Sequence, residues 1–277
     1  MMKRFIFSIF LLPLLLASPQ TKAQGIMLTP KWTAQAQFTG YYVADKLGFY
    51  KEEGIDVCVQ HPAISESSFS FMEKGRAPVV IMNLSYAFME RLAGARVVNV
   101  MQTSLISHSP LKGEESLRNQ KIAVWNHLSQ KLLDRLAEHY ALKQVEWIRF
   151  NSGVNVFLSG AADPCLVGSY NEYLQLSEYG MNVDSIYSIR LADYGYNLPE
   201  DGLYVTEEVY NQYPEVVRKL VKASMRGWAW TNEHREEALD MVMEEVKKGN
   251  IGTNRYHQRK MLEEVLRLQV DQQSGQR

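Results

Sequence analysis

Four consecutive apolar residues, Val79-Val80-Ile81-Met82, are too few to form a helix and lack the alternation of a strand with one wet face. Such a run fits a strand covered on both sides, as in the parallel sheets of α/β domains. Its neighbours agree with that reading. Upstream, residues 25–28 read as an opening strand and residues 39–47 as a helix stopped by Gly48. Ile55-Asp56-Val57-Cys58-Val59 alternates with period two, and residues 65–73 read as a helix with Ser65 as N-cap and Gly75 as its stop. Downstream come Asn83-Leu84-Ser85, a helix to Ala93 and a strand over residues 97–101. Strand–helix alternation of this kind is the pattern of an α/β domain.

A connector rich in Ser, His, Pro and Gly over residues 102–113 leads to a second series. Strands are expected over 121–125, 145–150, 164–167 and 185–190, with helices over 128–140, 153–159 and 170–179. Residues 193–199 read as irregular. Leu203-Tyr204-Val205 then reads as a strand returning to the first domain, and Thr206 caps a turn carrying Glu207 and Glu208. The last third is helical, over 214–230, 235–248 and 253–270. Val217, Leu220, Val221, Ser224 and Trp228 form one apolar stripe; Met261, Leu262, Val265 and Leu266 form another. A chain of 277 residues is long enough for one large or two medium domains.

Residues 1–23 are set aside as a signal peptide. Lys3 and Arg4 form a positive start, residues 5–17 an apolar stretch interrupted by Pro13, and Thr21-Lys22-Ala23 a small-x-small cleavage site. The apolar stretch is too short to span a bilayer. Removing it takes Lys3, Arg4 and Lys22 away, leaving 27 basic against 31 acidic residues. That balance argues against a nucleic-acid surface. The two cysteines, Cys58 and Cys165, lie in apolar strand-like runs and read as buried free thiols.

The motifs of common catalytic machines are missing: no G-x-S-x-G, H-E-x-x-H, C-x-x-C or P-loop occurs. His61, His108, His127, His139, His234 and His257 form no i, i+4 pair and read as surface or hinge residues. No catalytic residue, metal site or cofactor is therefore expected. What the chain does carry is polar and aromatic residues at strand ends and helix starts, where open α/β sheets bind ligands. The candidates are Trp32, Gln37, Tyr41 and Tyr42 on a first wall with Asn83, then Trp125, Tyr170, Glu172 and Tyr194 on a second.

The run Gln37-Phe38-Thr39-Gly40-Tyr41-Tyr42-Val43-Ala44, continued by Gly48-Phe49-Tyr50-Lys51-Glu52-Glu53-Gly54-Ile55, resembles the thiamine-pyrimidine-synthase-like solute-binding proteins. So do Gly160-Ala161-Ala162-Asp163, Tyr170-Asn171-Glu172-Tyr173, residues 194–202 and residues 254–264. The resemblance implies a two-lobe, type II periplasmic-binding fold with the ligand cleft between lobes and a helical C-terminal region. Lobe one would comprise residues 24–108 and 204–277, and lobe two residues 109–203. The implied hinge segments are residues 107–110 and 196–203. The implied function is an exported, periplasmic solute-binding protein that hands a thiamine pyrimidine precursor, or a similar heterocycle, to an ABC permease. Glu172 would accept from a ring amino group while aromatic faces stack on the ring. The alternatives are a pyrimidine synthase using pyridoxal phosphate and iron, and a degenerate ligand sensor. The chain departs from the family pattern at Pro78, where Asp is usual, and in its short span between Gln102 and Pro110. It also reaches residues 271–277 where the family's sequences continue.

Overall fold

The computed structural model describes residues 25–63, 66–101, 104–105, 108–109, 121–126, 130–139, 142–151, 153–182 and 199–273. The expected signal peptide, most of the connector, Ser65, Tyr194 and the strand expected over 185–190 lie outside them.

A five-stranded mixed sheet forms the larger core. It contains β1 (Ile26–Thr29), β2 (Val57–Val59), β3 (Val79–Met82), β4 (Val97–Met101) and a later strand, Gly202–Thr206, in the order β2-β1-β3-(Gly202–Thr206)-β4. All four residues of β3 are buried, as its composition requires. Its two neighbours run in opposite directions. β1 runs parallel to it, whereas the returning strand runs antiparallel to both β3 and β4. The return from the second series thus completes the first sheet.

Helices of the first series are a 3-10 turn at Ala36–Phe38, α1 (Thr39–Lys46), α2 (Phe49–Glu52), α3 (Ser68–Glu73) and α4 (Leu84–Leu92). Gly48, with φ of 76°, lets the chain turn from α1 into α2 through a left-handed residue. The N-cap of α3 is Ser67, whose hydroxyl accepts from the Ser70 N–H at 3.1 Å. Asn83 caps α4, its Oδ1 accepting from the Tyr86 N–H at 3.2 Å. Cys58 corrects the expectation of a buried thiol. It occupies the outward position of a three-residue strand and is exposed, while Cys165 is buried and both are free.

The middle of the chain builds a second core. It holds the short strands β5 (Ser104–Leu105) and β6 (His108–Ser109), then β7 (Lys121–Trp125), α5 (Gln130–His139), β8 (Glu146–Phe150), α6 (Asn155–Leu158), β9 (Val167–Gly168) and α7 (Glu172–Glu178). β7 and β8 pair in parallel. The strand expected over residues 164–167 is reduced to a bridge between Ala123 and Cys165, followed by β9. Ile122, Val124, Leu133, Phe150 and Leu166 are among the residues buried together here. β10 (Pro199–Glu200) pairs antiparallel with β5, so the outgoing and returning segments lie side by side. The returning strand above is β11 (Gly202–Thr206).

The remaining helices are α8 (Glu207–Gln212), α9 (Pro214–Glu233), α10 (Arg235–Lys248) and α11 (Arg255–Gln273). Thr206 caps α8, accepting from the Val209 N–H at 3.2 Å. α9 lies against α1 so closely that a Cβ on Gly227 would fall 2.0 Å from the Gly40 carbonyl oxygen. Tyr50 Oη meets Ser224 Oγ at 2.9 Å across the neighbouring contact with α2. Of the stripe expected on α9, Val217, Leu220, Ser224 and Trp228 are buried; all four residues of the α11 stripe are buried.

Candidate functional site

A cavity of about 880 Å³ opens between the two cores, within the range of small-molecule sites. Its first wall comes from the chain after β1, where Trp32, Gln35 and Gln37 precede α1. The sequence builds that wall through a chain of hydrogen bonds. Gln35 donates its side-chain amide to Gln37 Oε1, and Gln37 Nε2 donates to both oxygens of Asp201, at 2.7 and 2.8 Å. Asp201 is only 2% exposed, has φ of 57° between β10 and β11, and also pairs with Lys31 at 3.1 Å. An aspartate tolerates this left-handed backbone better than most side chains. The returning chain thereby fixes the wall contributed by the opening one.

His61 braces the same wall from behind. A carbonyl oxygen can only accept, so His61 Nδ1–H donates to the Trp32 carbonyl at 2.5 Å, leaving Nε2 to accept from the Tyr42 hydroxyl at 2.8 Å. Burial pushes the His61 imidazole below its ordinary range, which keeps the ring in this neutral form.

The second wall comes from the strand ends of the other core. Trp125, at the end of β7, meets Trp32 edge to face across the cavity, with ring centroids 5.7 Å apart and planes at 83°. Phe150 backs Trp125 at 4.7 Å. Tyr170, Asn171 and Glu172 follow β9 and enter α7. Glu172 is 2% exposed, and its carboxylate accepts from the Gly168 N–H at 2.9 Å and from Asn171 Nδ2 at 2.5 Å. Glu172 therefore secures the β9–α7 turn and lines the cavity at once.

Of the nine residues expected at the site, six line this one cavity: Trp32, Gln37, Asn83, Trp125, Tyr170 and Glu172. Gln37 is 1% exposed with its amide donated to Asp201, so it stiffens the wall from within. Tyr41 and Tyr42 lie elsewhere. Both sit on α1 inside the core, Tyr41 edge-on to Trp228 at 6.0 Å and Tyr42 on His61, and neither lines the cavity. Their place beside a helix start hid the fact that the helix's inner face, not its N-terminus, carries them. Tyr194 lies outside the described residues.

The sequence reading missed other parts of the site. Lys31 and Tyr86 line the cavity, and Asp201 anchors it. His257, expected as a surface or hinge residue, and Gln258 are buried at the start of α11. The periodicity of α11 does separate an inner from an outer face, but nothing local identifies their partners far along the chain. Lys31 is salt-bridged to Asp201, and Glu66 is held by Lys74 at 3.1 Å and Arg76 at 3.4 Å. No arginine lines the cavity among the described residues. Also among these residues, no group of three His, Cys, Asp or Glu side chains could hold a metal ion, and no helix is long and apolar enough to cross a membrane.

Comparison with known proteins gives a consistent picture. The chain is 29% identical over 89% of its length to the riboflavin-binding protein RibY of Chloroflexus aurantiacus, covering 73% of that protein. It is 25% identical over 90% of its length to the formylaminopyrimidine-binding protein of Halalkalibacterium halodurans, covering 81% of it. A 4-amino-5-hydroxymethyl-2-methylpyrimidine phosphate synthase of Legionella pneumophila matches at 22% identity over 78% of this chain and 72% of its own. In fold, the chain superposes on the periplasmic aliphatic sulphonate binding protein SsuA of Escherichia coli with a TM-score of 0.64, at 13% identity and 90% coverage of each chain. The molecule thus has the periplasmic-binding-protein fold expected of it. The family model described as NMT1/THI5 like matches residues 35–238, and the chain belongs to that family.

Proposed function

We propose that this chain is the exported, periplasmic recognition component of an ABC importer and that its cavity holds a planar, uncharged nitrogen heterocycle such as an aminopyrimidine. The observation that carries the reading is the buried Glu172 carboxylate beside a cavity walled by Trp32 and Trp125. Aromatic faces and edges hold a flat ring, and a carboxylate takes the paired N–H donors of an amino-substituted one. A carboxylate offers about four acceptor positions, enough to hold the β9–α7 turn and a ligand together. The charge of the cavity supports an uncharged ligand. Among the described residues its lining has one lysine, paired with Asp201, against Glu66 and Glu172, which disfavours phosphate or sulfonate groups. Two relatives, whose names specify a flavin and a formylaminopyrimidine, point to the same ring chemistry.

In this reading, residues 24–108 with 204–277 form one lobe and residues 109–203 the other. The β5–β10 pair crosses between them, and closure about that crossing presses Trp125 and Glu172 toward Trp32. Residues 1–23 serve as the export signal, and the permease is the partner that receives the ligand.

A synthase is the second reading because the family contains such enzymes. The residues described do not fit its requirements. A phosphate-bearing cofactor would meet Lys31 already salt-bridged to Asp201, beside two carboxylates, and no trio of metal-ligating side chains is assembled among the described residues. Binding without catalysis is the reading the geometry favours.

Calorimetric titration with 4-amino-5-hydroxymethyl-2-methylpyrimidine checks this directly. Glu172→Gln should weaken binding by about 10- to 100-fold, the size of a hydrogen bond to a charged acceptor. Unchanged affinity in that variant would remove Glu172 from the site.

A further inference from the structure

Two adjacent residues of α11 hold opposite walls of the cavity. Gln258 Oε1 accepts from the Ala36 N–H at 2.6 Å, between Gln35 and Gln37 of the first wall. His257 reaches the other way. Its Nε2 lies 2.9 Å from Oδ1 of Asn171, the N-cap residue of α7 on the second wall, and its Nδ1 2.7 Å from Oε1 of Glu178, the last residue of α7. His257 is 4% exposed and Gln258 2%. The start of α11 is therefore a clasp joining the two cores beside the ligand cavity.

The hydrogen-bond directions along this clasp are determined by chemistry. The Glu172 carboxylate only accepts, so the Asn171 amide must turn its Nδ2 toward it and its Oδ1 toward His257. Oδ1 accepts, so His257 Nε2 must carry a proton. Glu178 is a carboxylate, so Nδ1 must carry one as well. Only the doubly protonated ring satisfies both contacts. We propose that His257, as an imidazolium, is a positioning residue that orients Asn171 and through it Glu172 at the ligand site, so that the second wall is ordered at low pH and loosened as the ring loses its proton.

The surrounding charges favour this role. From α7, the carboxylates facing the ring are Glu178 directly and Glu172 through Asn171. On α11 itself, Arg255 is taken up by Glu236 and Asp240 of α10, Arg259 by Glu236, and Lys260 by Glu263. Near the first wall, Lys31 is paired with Asp201 beside Gln37. The cations closest in the chain are thus neutralised, and the carboxylates at the ring are left to hold its charge.

The role extends the proposed ligand site, and the test separates the two. Hydrogen exchange of residues 168–178 is followed in ligand-free protein at pH 6 and pH 8.5, corrected for intrinsic rates. Protection should fall by about tenfold at the higher pH, the loss of one charge-assisted hydrogen bond. In His257→Gln, protection should be low at both values, while exchange in β3 stays as in the wild type. In Glu178→Gln, which removes one charge but keeps a hydrogen-bonding side chain, the loss should move to lower pH. Pyrimidine binding is titrated separately at both pH values. Should the pyrimidine fail to bind at either, the ligand assignment falls while the exchange result still decides the clasp. Protection independent of pH in the wild type, or a Glu178→Gln profile superimposable on it, would overturn the clasp.

Discussion

His61 shows how a single side chain ties the site to the stability of the fold. It donates to the Trp32 carbonyl, accepts from Tyr42, and stays neutral because burial disfavours its charged form. The folded state therefore binds its proton less readily than the unfolded chain does. The stabilisation is complete above the ordinary histidine value near 6.5 and is lost as pH falls through the depressed folded value. Urea denaturation between pH 7.5 and 5 should show stability falling with acid, by at most about 1.4 kcal/mol per pH unit for this one proton. His61→Gln should flatten that part of the profile; an unaltered slope would place the acid sensitivity elsewhere. Residues of this kind were the least legible in the sequence. Tyr41 and Tyr42 look like cavity residues because they are aromatic and near Gln37, yet α1 turns them inward against Trp228 and His61. Cys58 and Cys165 have similar local sequences but different exposure, because Cys58 takes the outward position of β2 and Cys165 sits inside the second core. Burial pushes the Cys165 thiol up to about 12, so it stays protonated at neutral pH.

Among the elements, the pairing of α1 with α9 depends on two glycines. A Cβ on Gly227 would lie 2.0 Å from a backbone oxygen of α1 and 3.0 Å from Ala44 Cβ, with no flexible side chain to give way. Gly227→Ala should force the helices apart and cost at least about 3 kcal/mol, beyond most overpacking substitutions. Gly252, whose added Cβ would meet nothing within 4 Å, is the control; Gly252→Ala should leave the unfolding free energy within about 0.5 kcal/mol of wild type. Equal midpoints for the two variants would contradict the close approach. Periodicity made most of these elements readable. The apolar run of β3, the stripes of α9 and α11, and the caps at Thr206 and Gly48 are local signals with local causes. What periodicity could not supply was orientation. β11 is a clear strand in the sequence, but only the folded chain reveals that it enters antiparallel between β3 and β4.

For the whole molecule, function follows from bringing two chain segments with different tasks to one cavity. Trp32 and Trp125 are 93 residues apart and meet edge to face; Gln37 and Asp201 are 164 apart and share two hydrogen bonds. Strand ends pointed to several cavity residues in advance because α/β topology gathers such ends together. The braces behind them, Asp201, His257 and Gln258, carry no local signature because their partners lie far along the chain. On the proposed function, this assembly selects an uncharged heterocycle through aromatic walls and the Glu172 carboxylate. Calorimetric titration of the purified wild-type protein with 4-amino-5-hydroxymethyl-2-methylpyrimidine and with its phosphate ester, at one pH and ionic strength, tests it. The unphosphorylated pyrimidine should bind saturably and one to one, and the ester at least about tenfold more weakly, because its dianion would face the Glu172 and Glu66 carboxylates. Equal or tighter binding of the ester, or no binding of either compound, would contradict it.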